Sequence, residues 1–295
     1  MSSARPVLVA VDLSEPNALA LRQADMLARE LGAPLFVVHA LPELLAVHPL
    51  FPQLNLQDAF SLSELEPKAG AAIQRFVEEQ TGRKTDSYHV LLGSGSAHHV
   101  IIEEAHHVHA GTIVLGASGG GLSSMLGRTV RRVVRHAPCD VLVVRPSPHG
   151  MVLAGTDFSE PSKPAVARAA EEAKRRHKPL GLVYSLDFIP PGVALPGVDV
   201  PMPSLSALDS VRAEMHHLLD EESAKVGAES LLREGPAAHG LAEAARERKA
   251  ELVVVGTHGR TGLGRLALGS VAENVVESSP CSVLVVHPQP ANAAA

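Results

Sequence analysis

The chain has 295 residues, 45% of them hydrophobic, which is enough for two domains of ordinary size. Its formal net charge is −6, aromatic residues make up only 3%, and no dense run of Lys and Arg occurs, so nucleic-acid binding is not expected. The sequence shows neither a signal-peptide pattern nor a window of about 20 apolar residues, which predicts a cytoplasmic protein without a membrane span.

The first predicted strand, residues 7–11, ends at Asp12 and leads into a helix. Apolar side chains recur at helical spacing up to Gly32, a residue typical of helix ends. Ser14 and Pro16 suit the start of that helix, with Ser14 as its cap. Asp12 is then not needed for capping, which favours a contact to a polar ligand, for example to ribose hydroxyls or an exocyclic amine.

The remainder of the first half alternates between buried strands and helices. Near-continuous Val, Leu and Ile runs separated by helices predict a parallel sheet covered on both faces. Strands are predicted at residues 34–41, 87–94, 112–116 and 140–146, with helices near 64–81 and over 99–110. Two Pro-rich stretches, 42–60 and its counterpart 187–205, are predicted to be long surface loops that are candidates for lids.

The second half of the chain repeats the first. "VLVAVDLSEP" at residues 7–16 reappears as "VLAGTDFSEP" at 152–161, and Cys139 before the fifth strand recurs as Cys281. This self-similarity predicts two tandem domains, residues 1–147 and 148–295. The two cysteines are interpreted as small buried residues at matching strand entrances rather than as a disulfide.

The most specific motif, "GTHGRTGLGRLALGS", follows the fourth strand of the second half. Gly259 lies three residues after Gly256, and nine residues then separate it from Gly269, which opens the next helix with Ser270. Such a loop can present several backbone N–H groups to an anion at a helix N-terminus, and Arg260 can add a charge-assisted contact to a group with more than one phosphate. The alternative is a flexible glycine-rich loop without a ligand.

Two other phosphate-binding patterns are excluded. Residues 262–267 fit G-x-G-x-x-A but begin six residues after the predicted strand end, too far for the tight first turn of a dinucleotide-binding fold. A Walker A sequence is absent. No nucleophile with an adjacent general base stands out, so the sequence does not predict an enzyme.

A histidine-rich helix over residues 98–109 suggests a metal site at first sight. In the second half, however, Arg246, Glu247 and Lys249 occupy the positions of His106, His107 and His109. These are residues of a solvated helix face, so no metal site is predicted.

The Asp after the first strand, the order of elements and the pattern G-x2-G-x9-G-[ST] resemble the universal stress protein family over nearly the whole chain. The resemblance implies five parallel strands with helices on both faces in each domain, an adenine nucleotide alpha hydrolase-like, Rossmann-like fold that binds ATP with or without Mg²⁺. Asp157 would then contact the adenosine, Val183 would lie beside the base, and the glycine loop would surround the ribose and phosphates. The complete implied site consists of Thr156, Asp157, Val183, Gly256, Thr257, Gly259, Arg260, Gly269, Ser270 and Val271.

The first half departs from this pattern. Its corresponding residues are Asp12, Val38, Gly116, Gly119 and Gly127. Only seven residues separate Gly119 from Gly127, and Arg128 stands where the motif has Ser or Thr. We therefore expect nucleotide binding mainly in the second domain. The resemblance also implies pairing of the two domains through their fifth strands, and allows a homodimer of the chain.

Three functions are compatible with these patterns. The first is a regulatory stress-response protein that binds ATP. The second is a nucleotide-independent interaction protein in which both loops are relics. The third is an enzyme, or a carrier of a small ligand or metal, with the Pro-rich loops as lids; no catalytic constellation favours it.

Overall fold

The computed structural model describes residues 4–41, 62–117, 127–187, 205–259 and 268–288. Its contacts divide the chain into two compact units between Arg145 and Pro146. The exact boundary expected between residues 147 and 148 stays a prediction. Among the described residues, no helix is both long and apolar enough to cross a membrane.

Both units alternate strands and helices in the order that the sequence indicates. In the first unit the strands are β1 (Val7–Ala10), β2 (Leu35–Leu41), β3 (His89–Ser94), β4 (Thr112–Gly116) and β5 (Asp140–Val144). Its α-helices are α1 (Glu15–Leu31), α2 (Leu62–Thr81), α3 (Ala97–His107) and α4 (Arg128–His136).

The second unit repeats this succession. Its strands are β6 (Val152–Gly155), β7 (Leu180–Leu186), β8 (Glu229–Glu234), β9 (Leu252–Gly256) and β10 (Ser282–Val286). Its α-helices are α5 (Lys163–Arg176), α6 (Leu205–Val226), α7 (Ala237–Glu247) and α8 (Ser270–Ser278).

Within each unit the strands are parallel and adopt the same spatial order. The first unit has the order β3-β2-β1-β4-β5, with Val7 opposite both Leu35 and Thr112. The second has the order β8-β7-β6-β9-β10, with Val152 opposite both Leu180 and Leu252. This confirms the predicted fold class. In both sheets the order reverses beside the first strand, where a doubly wound sheet opens a crevice for ligands.

The central strands supply the core of each sheet because helices cover both of their faces. Every residue of β4 and β5 is buried, and Leu153 of β6 and Leu252 of β9 are fully buried. Burial of each such side chain stabilises the fold by about 1.5–3 kcal/mol. Val, Ile and Leu therefore fill these strands without the polar alternation of a half-exposed sheet.

The first helix of each unit ends in a left-handed residue. Gly32 has φ 61° and donates its N–H to Arg29 O at 3.2 Å, which confirms it as the predicted stop residue. In the second unit the same position is occupied by His177, with φ 54° and an equivalent bond to Lys174 O. A residue with a side chain therefore adopts the left-handed backbone conformation at this helix end, although that conformation is less favourable for it than for glycine.

The Pro-rich loops predicted at 42–60 and 187–205 lie outside the described residues, apart from Asp187 and the backbone of Leu205. The helices that follow them begin at Leu62 and Leu205, close to the predicted starts. The two cysteines are buried at the entrances of β5 and β10, as interpreted from the sequence.

Candidate functional site

A cavity of about 470 Å³ lies in the second unit at the carboxyl ends of β6, β7 and β9. Its walls come from the loop after β6, the end of β7, the start of α7, the loop after β9 and the N-terminus of α8. This is the crevice created by the reversal of strand order, so the topology itself places the site.

Nine residues expected from the sequence line this one cavity. They are Thr156, Asp157, Val183, Gly256, Thr257, Gly259, Gly269, Ser270 and Val271. The tenth, Arg260, lies outside the described residues. Residues from three separate segments of the sequence therefore meet around a volume within the usual range of small-molecule sites.

The loop after β6 is organised by the side chain of Asp157. Its Oδ1 accepts the backbone N–H of Ser159 at 3.1 Å and the Ser159 hydroxyl at 2.5 Å. Thr156 Oγ1 accepts the N–H of Phe158, whose φ is 62°. The chain thus turns sharply directly after the strand, and the carboxylate is held at the edge of the cavity.

This geometry corrects the expectation that the serine side chains cap these helices. Ser14 and Ser159 occupy the N-cap positions of α1 and of the short 3₁₀ turn before α5, but neither side chain makes a capping bond. The N–H three residues on, which such a cap would bind, donates to the serine backbone carbonyl instead. The carboxylates of Asp12 and Asp157 accept the N–H groups of the serines themselves and so hold the turn that precedes each helix.

The glycines of the loop after β9 permit close approaches. A Cβ on Gly259 would lie 2.7 Å from Asp157 Oδ2, and a Cβ on Gly269 would lie 3.0 Å from Thr257 O. Both distances are shorter than ordinary contacts, so a side chain at either position would push its neighbour away. The Gly259 contact joins the loop after β9 to the loop after β6, whereas the Gly269 contact lies within the connection from β9 to α8.

The N-terminus of α8 faces the same cavity. Gly269 is its N-cap and donates its N–H to Thr257 O at 2.7 Å, while Glu273 N–H makes the first bond of the helix, to Gly269 O. The N–H groups of Ser270, Val271 and Ala272 precede that bond and have no partner within the helix. Together with the helix dipole they form a positive end that suits an anion.

Other residues of the wall were not expected from the sequence, among them Tyr184, Ser185, Asp187 and His258. Tyr184 packs against Phe158 with ring centroids 4.6 Å apart, and the Ser185 hydroxyl donates to Gly235 O at 2.8 Å. Tyr184, Ser185 and Asp187 lie at or just past the carboxyl end of β7, and His258 follows β9. Position at the carboxyl ends of these strands was the signal that could have identified them.

The described wall of the cavity carries few charges. Its ionisable side chains are Asp157, Asp187 and His258, and no Lys or Arg is found among the described lining residues. Attraction for an anion therefore comes, in this part of the wall, from the α8 N-terminus.

The first unit places its corresponding residues at the same topological positions. Val38 is buried in β2 opposite Ala10, Gly116 ends β4, and Gly127 is the N-cap of α4. Gly119 lies outside the described residues. Arg128, the first residue of α4, is exposed.

Asp12 differs from its counterpart Asp157 in its hydrogen bonds. Its Oδ1 accepts both the N–H of Ser14 at 3.0 Å and the side-chain amide of Asn17, which is itself only 8% exposed. Burial raises the pKa of Asp12, but these hydrogen bonds outweigh it and hold the pKa below its ordinary value. In the second unit the residue equivalent to Asn17 is Ser162, whose hydroxyl donates to Ser159 O.

The histidine-rich helix has a structural explanation. His106, His107 and His109 are exposed, and within the described parts of the chain no three His, Cys, Asp or Glu side chains are grouped to hold a metal ion. His98 is buried and accepts a hydrogen bond from Arg132 Nη1 at 3.1 Å on its Nε2. Burial and the neighbouring positive charges lower the pKa of His98, which keeps the ring neutral.

Comparison with known proteins agrees with this architecture. A profile of the Universal stress protein family matches residues 3–145 and again 150–287. A universal stress protein of Mycobacterium tuberculosis is 33% identical over 188 residues, which cover 59% of this chain and about three fifths (61%) of the relative. One of Mycolicibacterium smegmatis is 28% identical over 96% of this chain and 97% of its own length.

Solved structures show the same fold. The crystal structure of a putative universal stress protein from Pseudomonas aeruginosa superimposes with a TM-score of 0.65 over 97% of this chain and 94% of its own, at 20% identity. At that identity the likeness concerns the fold alone. With both halves matched by the family profile and the same fold in a solved relative, the chain belongs to the universal stress protein family as a tandem, two-domain member.

Proposed function

We propose that the second domain binds ATP and that the chain acts in the stress response as a nucleotide-binding regulatory protein. The observation that carries this proposal is the cavity of about 470 Å³, which gathers a carboxylate, an apolar strand end and a helix N-terminus around one volume. These are the three kinds of group that a nucleoside polyphosphate requires.

Each part of the nucleotide has a matching part of the wall. Val183 and Tyr184 offer apolar surface for the base, and the Asp157 carboxylate can accept from ribose hydroxyls. The N–H groups that begin α8 and the Ser270 hydroxyl suit the phosphates, with Arg260 and Mg²⁺ as further partners of their charge. Hydrolysis of the bound ATP is proposed to be weak at most.

The first domain is proposed to bind nucleotide poorly, if at all, because its glycine loop is shorter and Arg128 stands where the motif has Ser or Thr. Its role would be that of an interaction domain. Pairing of the domains through β5 and β10 and formation of a homodimer also belong to the proposal and rest on the family resemblance. A cytoplasmic location belongs to it as well and rests on the sequence patterns described above.

The direct test begins with the purified protein, which is denatured and searched for released nucleotide. ATP is then titrated calorimetrically into the wild type, Asp157→Asn and the matched variant Asp12→Asn. We expect Asp157→Asn to weaken ATP binding by about 10-fold and Asp12→Asn to leave it unchanged. Absence of released nucleotide together with absence of any ATP-dependent heat or thermal shift would contradict the proposal.

A second variant addresses the loop itself. Gly269→Ala/Ser270→Ala adds a Cβ that would lie 3.0 Å from Thr257 O and removes the hydroxyl at the start of α8. ATP binding should be lost or greatly weakened. Binding equal to that of the wild type would show that the phosphates are held elsewhere.

A further inference from the structure

His98 links two helices of the first domain. It is the second residue of α3, and its side chain is buried. Its Nδ1 lies 3.1 Å from the Oγ of Ser96, the N-cap residue of α3, and its Nε2 lies 3.1 Å from Nη1 of Arg132 in the middle of α4. The ring therefore ties the start of α3 to α4.

Arg132 determines the protonation state in which this link exists. A guanidinium has donors and no acceptor, so its hydrogen bond requires a lone pair on Nε2 of His98. The neutral ring then carries its hydrogen on Nδ1, where the Ser96 hydroxyl can accept it. A second hydrogen can be added to this ring only at Nε2, and it removes the acceptor that Arg132 uses.

The charged groups around His98 add to this effect. The described groups whose charge acts on it are His99 on its own helix and Arg132 and His136 on α4, and no carboxylate is among them. The rings of His98 and His99 have their centroids 4.2 Å apart. In acid, all four side chains would be positive, and a protonated His98 would face only like charges.

The strands that pack against α3 do not supply a counter-charge. Their titratable side chains are His39 in β2 and His89 in β3, and neither strand contains a carboxylate. His39 Nδ1 bonds to Val11 O at 2.7 Å, and the His89 ring stacks on Phe36 at the amino ends of the strands. A charge on His98 would therefore be buried without compensation from the sheet.

We propose that the pair of His98 and Arg132 is an acid-sensitive contact, in which protonation of His98 releases α4 from α3 in the first domain. The charged ring presents a donor to the Arg132 donors, and the exposed Arg132 side chain turns toward water. Nucleotide binding in the second domain plays no part in this release.

The second domain lacks this pair of residues. Ala238 in α7 and Asn274 in α8 occupy the positions of His98 and Arg132. Because α7 packs against α8 as α3 packs against α4, the second helix pair is an internal reference within the same molecule.

Nitrogen NMR spectra of the histidine rings in the full chain test the protonation state. At about pH 7.5 the signal that disappears in His98→Gln should show a bare Nε2 and a protonated Nδ1. Since the pKa of His98 is lowered in the fold, the ring should become charged only as the pH falls below the ordinary value of about 6.5. A hydrogen on Nε2 at about pH 7.5, or a ring that stays neutral until the protein unfolds in acid, would overturn the proposal.

Amide hydrogen exchange above and below that titration midpoint, divided by the intrinsic rate at each pH, follows the helices themselves. Protection of α3 and α4 should fall in acid by about 10-fold more than protection of α7 and α8, as expected for the loss of one hydrogen bond to a charged group. An equal change in both helix pairs would contradict the release of α4.

Variants identify the responsible group. His98→Gln cannot be protonated, and its side-chain oxygen reaches about as far as Nε2 and can accept from Arg132, so it should keep the protection of α3 and α4 and lose its pH dependence. His98→Ala should be poorly protected at both pH values. The matched control, His106→Gln at an exposed position of the same helix, should respond as the wild type does. If His98→Gln or His98→Ala retains the wild-type response to acid, another group is responsible and the proposal is wrong.

Discussion

Asp157 and Gly259 lie so close that a Cβ on the glycine would be 2.7 Å from Oδ2 of the carboxylate. The two residues are about a hundred positions apart in the sequence, one after β6 and the other after β9. Their contact joins the two loops that flank the crevice of the sheet. The close contact with Asp157 accounts for the absence of a side chain at position 259. A substitution at either residue should alter the position of the other.

We predict that Gly259→Ala weakens ATP binding by about 10-fold, because the new methyl group must displace the Asp157 carboxylate. Calorimetric titration measures the effect. The matched control is Gly70→Ala in α2, where an added Cβ meets nothing within 4 Å. If Gly259→Ala binds ATP as the wild type does, the carboxylate is not a ligand contact.

The second prediction concerns Asn17, which bonds to Asp12 in the first unit. Asn17→Ala should lower the free energy of unfolding at pH 7 by about 1 kcal/mol. This value is at the low end of the range for a hydrogen bond to a charged group, because the Asp12 carboxylate is exposed and solvent screens the interaction. Chemical denaturation of both proteins gives the difference.

The pH dependence of that difference follows from the lowered pKa of Asp12. A carboxyl group whose pKa is lower in the folded protein stabilises it at pH values above the ordinary pKa of about 3.9. This contribution disappears as the pH falls through the lower, folded-state value. The wild type and Asn17→Ala should therefore differ most above pH 5 and converge in acid; a constant difference across this range would contradict the assignment.

The fold could be predicted because it depends on local patterns. Uninterrupted Val and Leu runs such as Leu252–Gly256 occur only where both faces of a strand are covered, and the duplication showed each element twice. The glycine spacing likewise indicated which loop would meet the start of α8. The apolar runs and the glycine spacing can each be recognised within a single segment of the sequence.

The details of the site depend on contacts through space and were not predictable in the same way. Asp12 and Asp157 share one motif, yet a single difference five residues later, Asn17 against Ser162, changes the hydrogen bonds of the carboxylate. His258 falls on an unspecified position of the glycine pattern, and its place in the cavity wall appears only in the fold. The cap expected from Ser14 was wrong because the N–H of Asn17 donates to the Ser14 backbone carbonyl and not to its hydroxyl.

The third prediction uses the two copies of the helix end after α1 and α5. Gly32→Ala should destabilise the protein by about 1 kcal/mol, since φ 61° is unfavourable for a side chain although nothing lies within 4 Å of the new Cβ. His177→Gly, at φ 54°, should stabilise it by about 0.5 kcal/mol, because relief of strain is partly offset by a more flexible unfolded chain. Denaturant unfolding measures both, and shifts of the same sign would disprove the explanation.

The last prediction concerns the thiol of Cys139, which is buried at the entrance of β5. Burial, together with the negative charge of Asp140, raises the pKa of Cys139 to about 12. Since the thiolate is the reactive form, a thiol reagent at pH 8 should modify Cys139 only slowly in the folded protein and rapidly in denaturant. Cys281→Ala isolates the signal of Cys139, and fast modification of the folded variant would contradict its burial.

Because the unfolded thiol ionises near pH 8.5 and the folded one does not, this group's contribution to stability is complete below that pH and declines as the pH rises toward 12.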